Sequence, residues 1–185
     1  VASPQSLSDG DRRHGDRRLV AAWAADCAER VLPLFEAEAP DDDRVRDAVG
    51  RTRAFARGEL DTDGEIRRRL VAGRAAHSAT SPAGRAAARS AGQAAAVAHM
   101  GAHALGAAAY AARAVALDRS PAAGSAEVAW QLDRTSEPVR RALRKLPPLG
   151  QSTSGPLGPG LLTSGALGGY IREIQAALAE QADAR

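Results

Sequence analysis

His99 and His103 are the residues whose spacing most suggests chemistry. On a helix an i, i+4 pair projects both imidazoles from one face, where together they can hold a divalent metal. A zinc site takes three or four protein ligands, so Cys27, Asp26 or His77 would have to converge from other helices. Met100 stands where a His-Glu-x-x-His motif places its catalytic glutamate. The same spacing serves a buried structural pair bonded to a neighbouring carboxylate or carbonyl, with Tyr110 on the same stripe. The structural reading is preferred and no metal or cofactor is expected; a metal-binding helical enzyme using His99 and His103 stands as an alternative. Cys27 is the only cysteine. A nucleophilic thiol needs a base and an exposed, electropositive setting, whereas Cys27 falls on an apolar stripe that predicts an inert core thiol. No serine sits on a nucleophile elbow, and neither Gly92 with Gly101 nor the run Gly155 to Gly160 is followed by the Lys-Ser/Thr of a phosphate loop. No catalytic residue is assigned, and the protein is not expected to be an enzyme.

The charged residues offer binding chemistry instead. Glu36, Glu38, Asp41, Asp42 and Asp43 form one acidic run, and Glu59, Asp61, Asp63 and Glu65 a second. Both border helix junctions, where carboxylates commonly cap first turns. Should the flanking helices form a hairpin, they would also gather into a rim able to steer a basic partner surface. Glu36, Asp41, Asp42, Asp43, Glu59, Asp61, Asp63 and Glu65 are therefore the candidate partner-binding set. Arg12, Arg13, Arg17 and Arg18, with Arg67, Arg68, Arg69 and Arg74, invite a nucleic-acid reading. Aromatic residues make up only 3% of the chain, which leaves little for base stacking, and no groove-reading motif emerges. Nucleic acid is disfavoured as a partner. The net charge of +3 decides little, because nearly every basic residue is arginine, with Lys145 the one lysine.

These side chains must be positioned by helices. Alanine and glycine dominate while large aromatics are scarce, so the core has to come from close approach of thin helices, an all-α bundle of five to seven. Pro4, Gly10 and several serines predict a mobile segment over 1–10. From about Asp11, the residues Val20, Trp23, Cys27, Val31 and Leu34 recur at helical spacing, up to a kink or end near Pro33. Pro40 and Asp41 to Asp43 start a second helix that carries Val45, Val49, Thr52 and Phe55 inward until Gly58 stops it. Thr62 and Glu65 have the spacing of a capping box and open a third through Ile66 and Leu70. Ser81-Pro82 caps the Ala-rich stretch to about Asp118, which is apolar on both sides and belongs at the centre of the bundle, with Gly101 a point where it can divide. Ser125 caps a helix with Val128, Ala129 and Leu132, in which Trp130 either plugs the bundle or anchors an interface. Ser136 restarts a short helix. The bundle domain is read as 11–146, residues 147–166 as a Gly/Pro/Ser-rich linker, and 167–185 as a last amphipathic helix that docks back, pairs with a partner or stays loose. No stretch reaches the roughly 20 apolar residues of a membrane span, and with a single cysteine the expected location is the cytoplasm.

The run from Trp23 to Glu36, followed by Pro40-Asp41-Asp42-Asp43-Arg44 and Arg57-Gly58-Glu59, resembles the immunity-protein-five-like family of bacterial polymorphic toxin systems. Ala98-His99-Met100, His103-Ala104, Ala107 to Tyr110 and Trp130-Gln131 sit where that family has similar stretches. The resemblance covers about residues 16 to 146. It implies an all-helical protein that neutralises a cognate protein toxin by binding it, and it carries no catalytic residues to transfer; the mechanism expected of such a rigid helical surface is occlusion of the toxin's active site. Val45 departs from a proline of the family pattern and Phe55 from a tryptophan.

Overall fold

The computed structural model describes residues 4–68 and 70–183, with side chains from 13 to 180 apart from residue 69. Among the described residues there are nine α-helical segments and no strand: α1 (Pro4–Glu36), α2 (Arg44–Arg57), α3 (Thr62–Arg68), α4 (Val71–Ala75), α5 (Pro82–Ala96), α6 (His103–Asp118), α7 (Pro121–Asp133), α8 (Glu137–Arg144) and α9 (Gly165–Asp183). The fold is all-α. The count exceeds seven because the third expected helix breaks before Val71 and the Ala-rich stretch breaks over 97–102.

That second break folds the Ala-rich stretch into an antiparallel hairpin at the centre of the molecule. Every residue from Ala104 to Ala112 is buried, so α6 has no solvent face there; α1, α5, α7 and α9 surround it. Alanine permits this because its methyl holds neighbouring backbones only slightly apart. The Ser90 hydroxyl of α5 donates to the Ala107 carbonyl of α6 at 2.7 Å, a bond that larger side chains at the contact would prevent. At Gly92 an added Cβ would lie 3.0 Å from the backbone nitrogen of Gly73. Larger side chains pack around this hairpin: Phe35, Phe55, Leu105, Ile171, Ile174 and Leu178 are fully buried.

Local signals set the helix ends, with several corrections. Ser81 Oγ accepts from the Gly84 amide at 2.9 Å, as Ser81-Pro82 predicts. Gly58 ends α2 in the left-handed region at φ 84°, where glycine alone avoids a Cβ clash. The cap of α7 is Ser120, whose Oγ accepts from the Ala123 amide at 3.3 Å; Ser125, the expected cap, lies inside the helix, because the earlier Ser-Pro pair already supplies cap and first-turn proline. Asp61, not Thr62, caps α3, with its Oδ1 2.6 Å from the Gly64 amide, since Glu65 is turned inward onto Arg51 and cannot close a capping box. Asp42 rather than Asp43 accepts from the Arg44 amide, at 3.3 Å. Leu70 is exposed at the break before α4.

At the chain's start α1 already begins at Pro4, within the segment whose composition predicts mobility; a first-turn proline forfeits no intrahelical bond. Pro33 lies inside α1, which ends one turn later. Residues 147–164 are irregular, as their composition predicts, but they are packed: Leu157 and Leu162 are buried. Gln175 of α9 accepts from the Leu149 amide and donates to the Pro147 carbonyl, both at 3.0 Å. Of the three possibilities for α9, docking back is the one observed, with Leu167, Tyr170, Ile171, Ile174 and Leu178 buried.

Two glycine substitutions separate backbone freedom from close packing. An added Cβ at Gly50, inside α2, meets nothing within 4 Å, so Gly50→Ala should stabilise by about 0.5–1 kcal/mol through helix propensity and unfolded-chain entropy. Gly92→Ala should destabilise by about 1–3 kcal/mol, because backbone rather than a flexible side chain must yield. Urea unfolding of both variants measures the two changes.

Candidate partner-binding surface

One polar stripe on α7 has the spacing of a buried face. Glu127, Trp130, Gln131 and Arg134 fall three, four and seven residues apart and so share one side of the helix. Gln131 is buried and fixes the helix twice: its Nε2 donates to the Ala108 carbonyl of α6 at 3.2 Å, and its own carbonyl accepts from the Trp23 indole of α1 at 3.1 Å. Glu127 is buried as well and accepts from Arg30 Nε of α1 at 2.8 Å. Held there, the Arg30 guanidinium lies 4.1 Å from the centre of the Trp130 ring, and that of Arg134 lies 4.6 Å from it. Trp130 is half-buried, neither a plug in the core nor a freely exposed anchor. Asp26 and Glu29, on the same stretch of α1, both pair with Arg53 of α2. Asp26, Glu29, Arg30, Trp130 and Arg134 line an open cleft of about 610 Å³.

Sequence reasoning weighed Trp130 but missed its companions. The available signal was the placement of Glu127 and Gln131 at core-like spacing beside it: polar residues at buried positions have partners, and Arg30, i+7 from Trp23, is where α1 could supply one.

The histidine pair is divided by the break in the Ala-rich stretch. His103 opens α6, with Nδ1 2.8 Å from Gln93 Oε1; His99 is exposed in the α5–α6 connection. Their ring centres are 6.5 Å apart, and no group of three or more metal-ligating side chains is found among the described residues. Cys27 is fully buried, and burial pushes its thiol well above the ordinary value, with the nearby carboxylates of Asp26 and Glu127 adding to the effect.

Most of the acidic set is engaged within the fold. Glu36 pairs with Arg46, Glu59 with Arg57 and Glu65 with Arg51, while Asp61 caps α3. Asp42 takes Arg44 at 2.7 Å and the Ser78 hydroxyl at 2.7 Å, and the arginine above all holds its carboxyl far below the usual range. Asp41, Asp43 and Asp63 are exposed. In sequence the two runs flank α2, a helix of 14 residues and so about 20 Å long, and Glu65 of the second folds back onto Arg51 in the middle of that helix. The arginine clusters are used similarly. Arg17 donates to the Ala98 carbonyl at 3.1 Å and Arg18 to that of Phe55 at 2.9 Å, and Arg68 pairs with Asp47. The side chains of Arg12 and Arg69 lie outside the described residues.

The fold is an all-α bundle whose surface carries a tryptophan clamped by two arginines. The chain belongs to the Imm-5 like putative immunity protein family, whose model matches residues 13–138, from α1 into the first turn of α8 and including the whole Trp130 cleft. Val45 and Phe55 are both buried in the core. No curated protein and no solved structure was found to match the chain.

Glu38 gives this region a measurable pH signature. Its carboxylate accepts from the Ser81 hydroxyl, from the Thr80 hydroxyl at 2.7 Å and from both backbone amides. These bonds, that of the Ser81 hydroxyl first, lower its pKa from 4.5 to about 2. A carboxylate with a depressed folded-state pKa contributes stability that is present above its unfolded value and lost as pH falls through the folded one. Glu38→Gln should therefore cost about 1–2 kcal/mol at neutral pH, and its urea midpoint should converge on that of the parent as the pH falls from 4.5 toward about 2.

Proposed function

We propose that this protein binds a cognate protein toxin of a bacterial polymorphic toxin system and neutralises it by steric occlusion, with Trp130 at the centre of the interface. The observation that carries the reading is the half-buried Trp130 ring held against Arg30 and Arg134. Tryptophan and arginine dominate interface hot spots, because each brings large area and directional bonding with little rotamer freedom left to lose once it is fixed. Here the ordering cost is met before binding: Glu127, itself buried, fixes Arg30, and Gln131 fixes α7. Arg134 has no acidic partner among the described residues and is free to meet a carboxylate of the toxin.

The acidic residues take a flanking place in this reading. Arg53 joins α2 to the edge of the cleft, and the exposed Asp41, Asp43 and Asp63, beyond the ends of that helix, act at longer range to steer approach. Glu36, Asp42, Glu59, Asp61 and Glu65 shape the same edges while bound to their own partners. The family membership supports inhibition by binding rather than catalysis, and on this reading the complex forms in the bacterial cytoplasm.

Co-expression with the toxin encoded beside it tests the proposal. The parent chain should protect the cells and capture the toxin in a pull-down. Trp130→Ala should weaken the complex by about 2 kcal/mol or more, close to thirtyfold, while leaving the urea midpoint little changed. Asp41→Asn with Asp43→Asn should slow association by several-fold and lose that effect at high salt. Capture of no toxin by the folded parent chain would refute the reading.

A further inference from the structure

A second opening lies on the other stretch of α1, away from the Trp130 cleft. Arg13, Arg17 and Val20 follow i, i+4, i+7 spacing and form one wall; Lys145 and Leu146, just past α8, form the opposite one. The α5–α6 connection closes the end with His99, Met100 and Gly101. The groove has a volume of about 680 Å³, within the 300–1,000 Å³ range typical of small-molecule sites.

We infer that this groove binds a small amphipathic anion: an apolar chain or ring that carries a single carboxylate or phosphate. Three observations converge on that chemistry. The floor is apolar where α1 meets the end of α8, with Val20, Ala142 and Leu146 lining it. Among the described residues the rim is cationic: Arg13, Arg17 and Lys145 accompany one acidic residue, Asp16, which is held by Lys145 at 2.8 Å. Arg17 is also preset, its guanidinium anchored on the Ala98 carbonyl at 3.1 Å. A fixed guanidinium beside an apolar floor matches an anionic head on an apolar body. The enclosure on three sides favours a small molecule over an extended protein segment.

Gly101 provides a clean way to fill the site. A Cβ built there would lie 3.5 Å from Arg17 Cγ, 3.7 Å from Val20 Cγ2 and 3.8 Å from Leu146 Cδ2, ordinary contact distances, and its backbone is not in the left-handed region. Gly101→Ala should fold and narrow the groove, and Gly101→Leu should fill it.

Isothermal titration calorimetry of the full chain with octanoate, octyl phosphate and octanol tests the assignment. One equivalent of octanoate or octyl phosphate should bind, and the stronger of the two identifies the head group; octanol should bind at least about tenfold more weakly, for want of a charge-assisted bond. Arg13→Gln, which alters an exposed residue, should weaken binding of the anion about tenfold, Gly101→Ala should weaken it measurably, and Trp130→Ala should leave it unchanged. The assignment is overturned if neither anion binds, if octanol binds as well as they do, or if Arg13→Gln and Gly101→Ala both bind like the parent. It is equally overturned if Arg13→Gln weakens the toxin complex while neither anion binds, since the groove would then belong to the protein interface.

Discussion

The close contact between α5 and α6 is the constraint on which the rest of the structure depends. Two Ala-rich helices can lie so near one another that a serine hydroxyl of one reaches a main-chain carbonyl of the other, as Ser90 does to Ala107. Such packing buries little area per residue, and each methyl contributes modestly. Its strength is density: many short contacts at close range, with no long side chains to order. It also leaves α6 with no free side between Ala104 and Ala112, so every helix that touches it is placed by it. The few large apolar residues then gather around the hairpin, from Phe35 and Phe55 at the α1–α2 side to Ile171, Ile174 and Leu178 on α9.

Placement on α6 reaches the surface through hydrogen bonds. Gln131 of α7 finds the Ala108 carbonyl, Trp23 of α1 finds the Gln131 carbonyl, and the three helices are thereby set in one register. One turn before Gln131, the Glu127 carboxylate is buried in the same layer. A buried carboxylate without a cation would be costly, so Arg30 is drawn to it, and its guanidinium comes to rest beside Trp130. The surface feature proposed to meet a toxin is thus the outer end of a chain of bonds that begins at the Ala-rich core. Electrostatics and packing act together here: the burial of Glu127 makes Arg30 stay.

Much of the fold was legible in the residues. The stripe Val20, Trp23, Cys27, Val31 dictates the buried face of α1, Ser81-Pro82 and Gly58 mark helix ends through capping geometry, and the two-sided apolar pattern of the Ala-rich stretch places it centrally. The errors share a cause. Ser125 and Thr62 were plausible caps judged by residue type, yet each competes with a neighbour, Ser120 or Asp61, and the choice depends on what else the side chains meet in three dimensions. The acidic runs illustrate this most fully. Sequence shows the carboxylates of Glu36, Glu59 and Glu65 but not that Arg46, Arg57 and Arg51 answer them. Arg30 escaped notice for the converse reason: on a helical wheel it lies at the edge of the apolar stripe, beside Trp23, and only the burial of Glu127 gives it a role.

Helix α1 carries both surface features, and its length explains how it can. The turns bearing Arg13 and Arg17 line the groove, while those bearing Asp26, Glu29 and Arg30 border the Trp130 cleft; about ten residues, or roughly 15 Å, separate them along the axis. The family match ends at residue 138. The Trp130 cleft lies wholly within the matched part, as a contact serving a family-wide role would. The groove does not: Lys145 and Leu146 come from beyond it, and the chain that follows is tied back by Gln175 of α9 to Leu149 and Pro147. A small-molecule site there would draw on both the matched bundle and the chain that follows it, without disturbing the face proposed to hold the toxin.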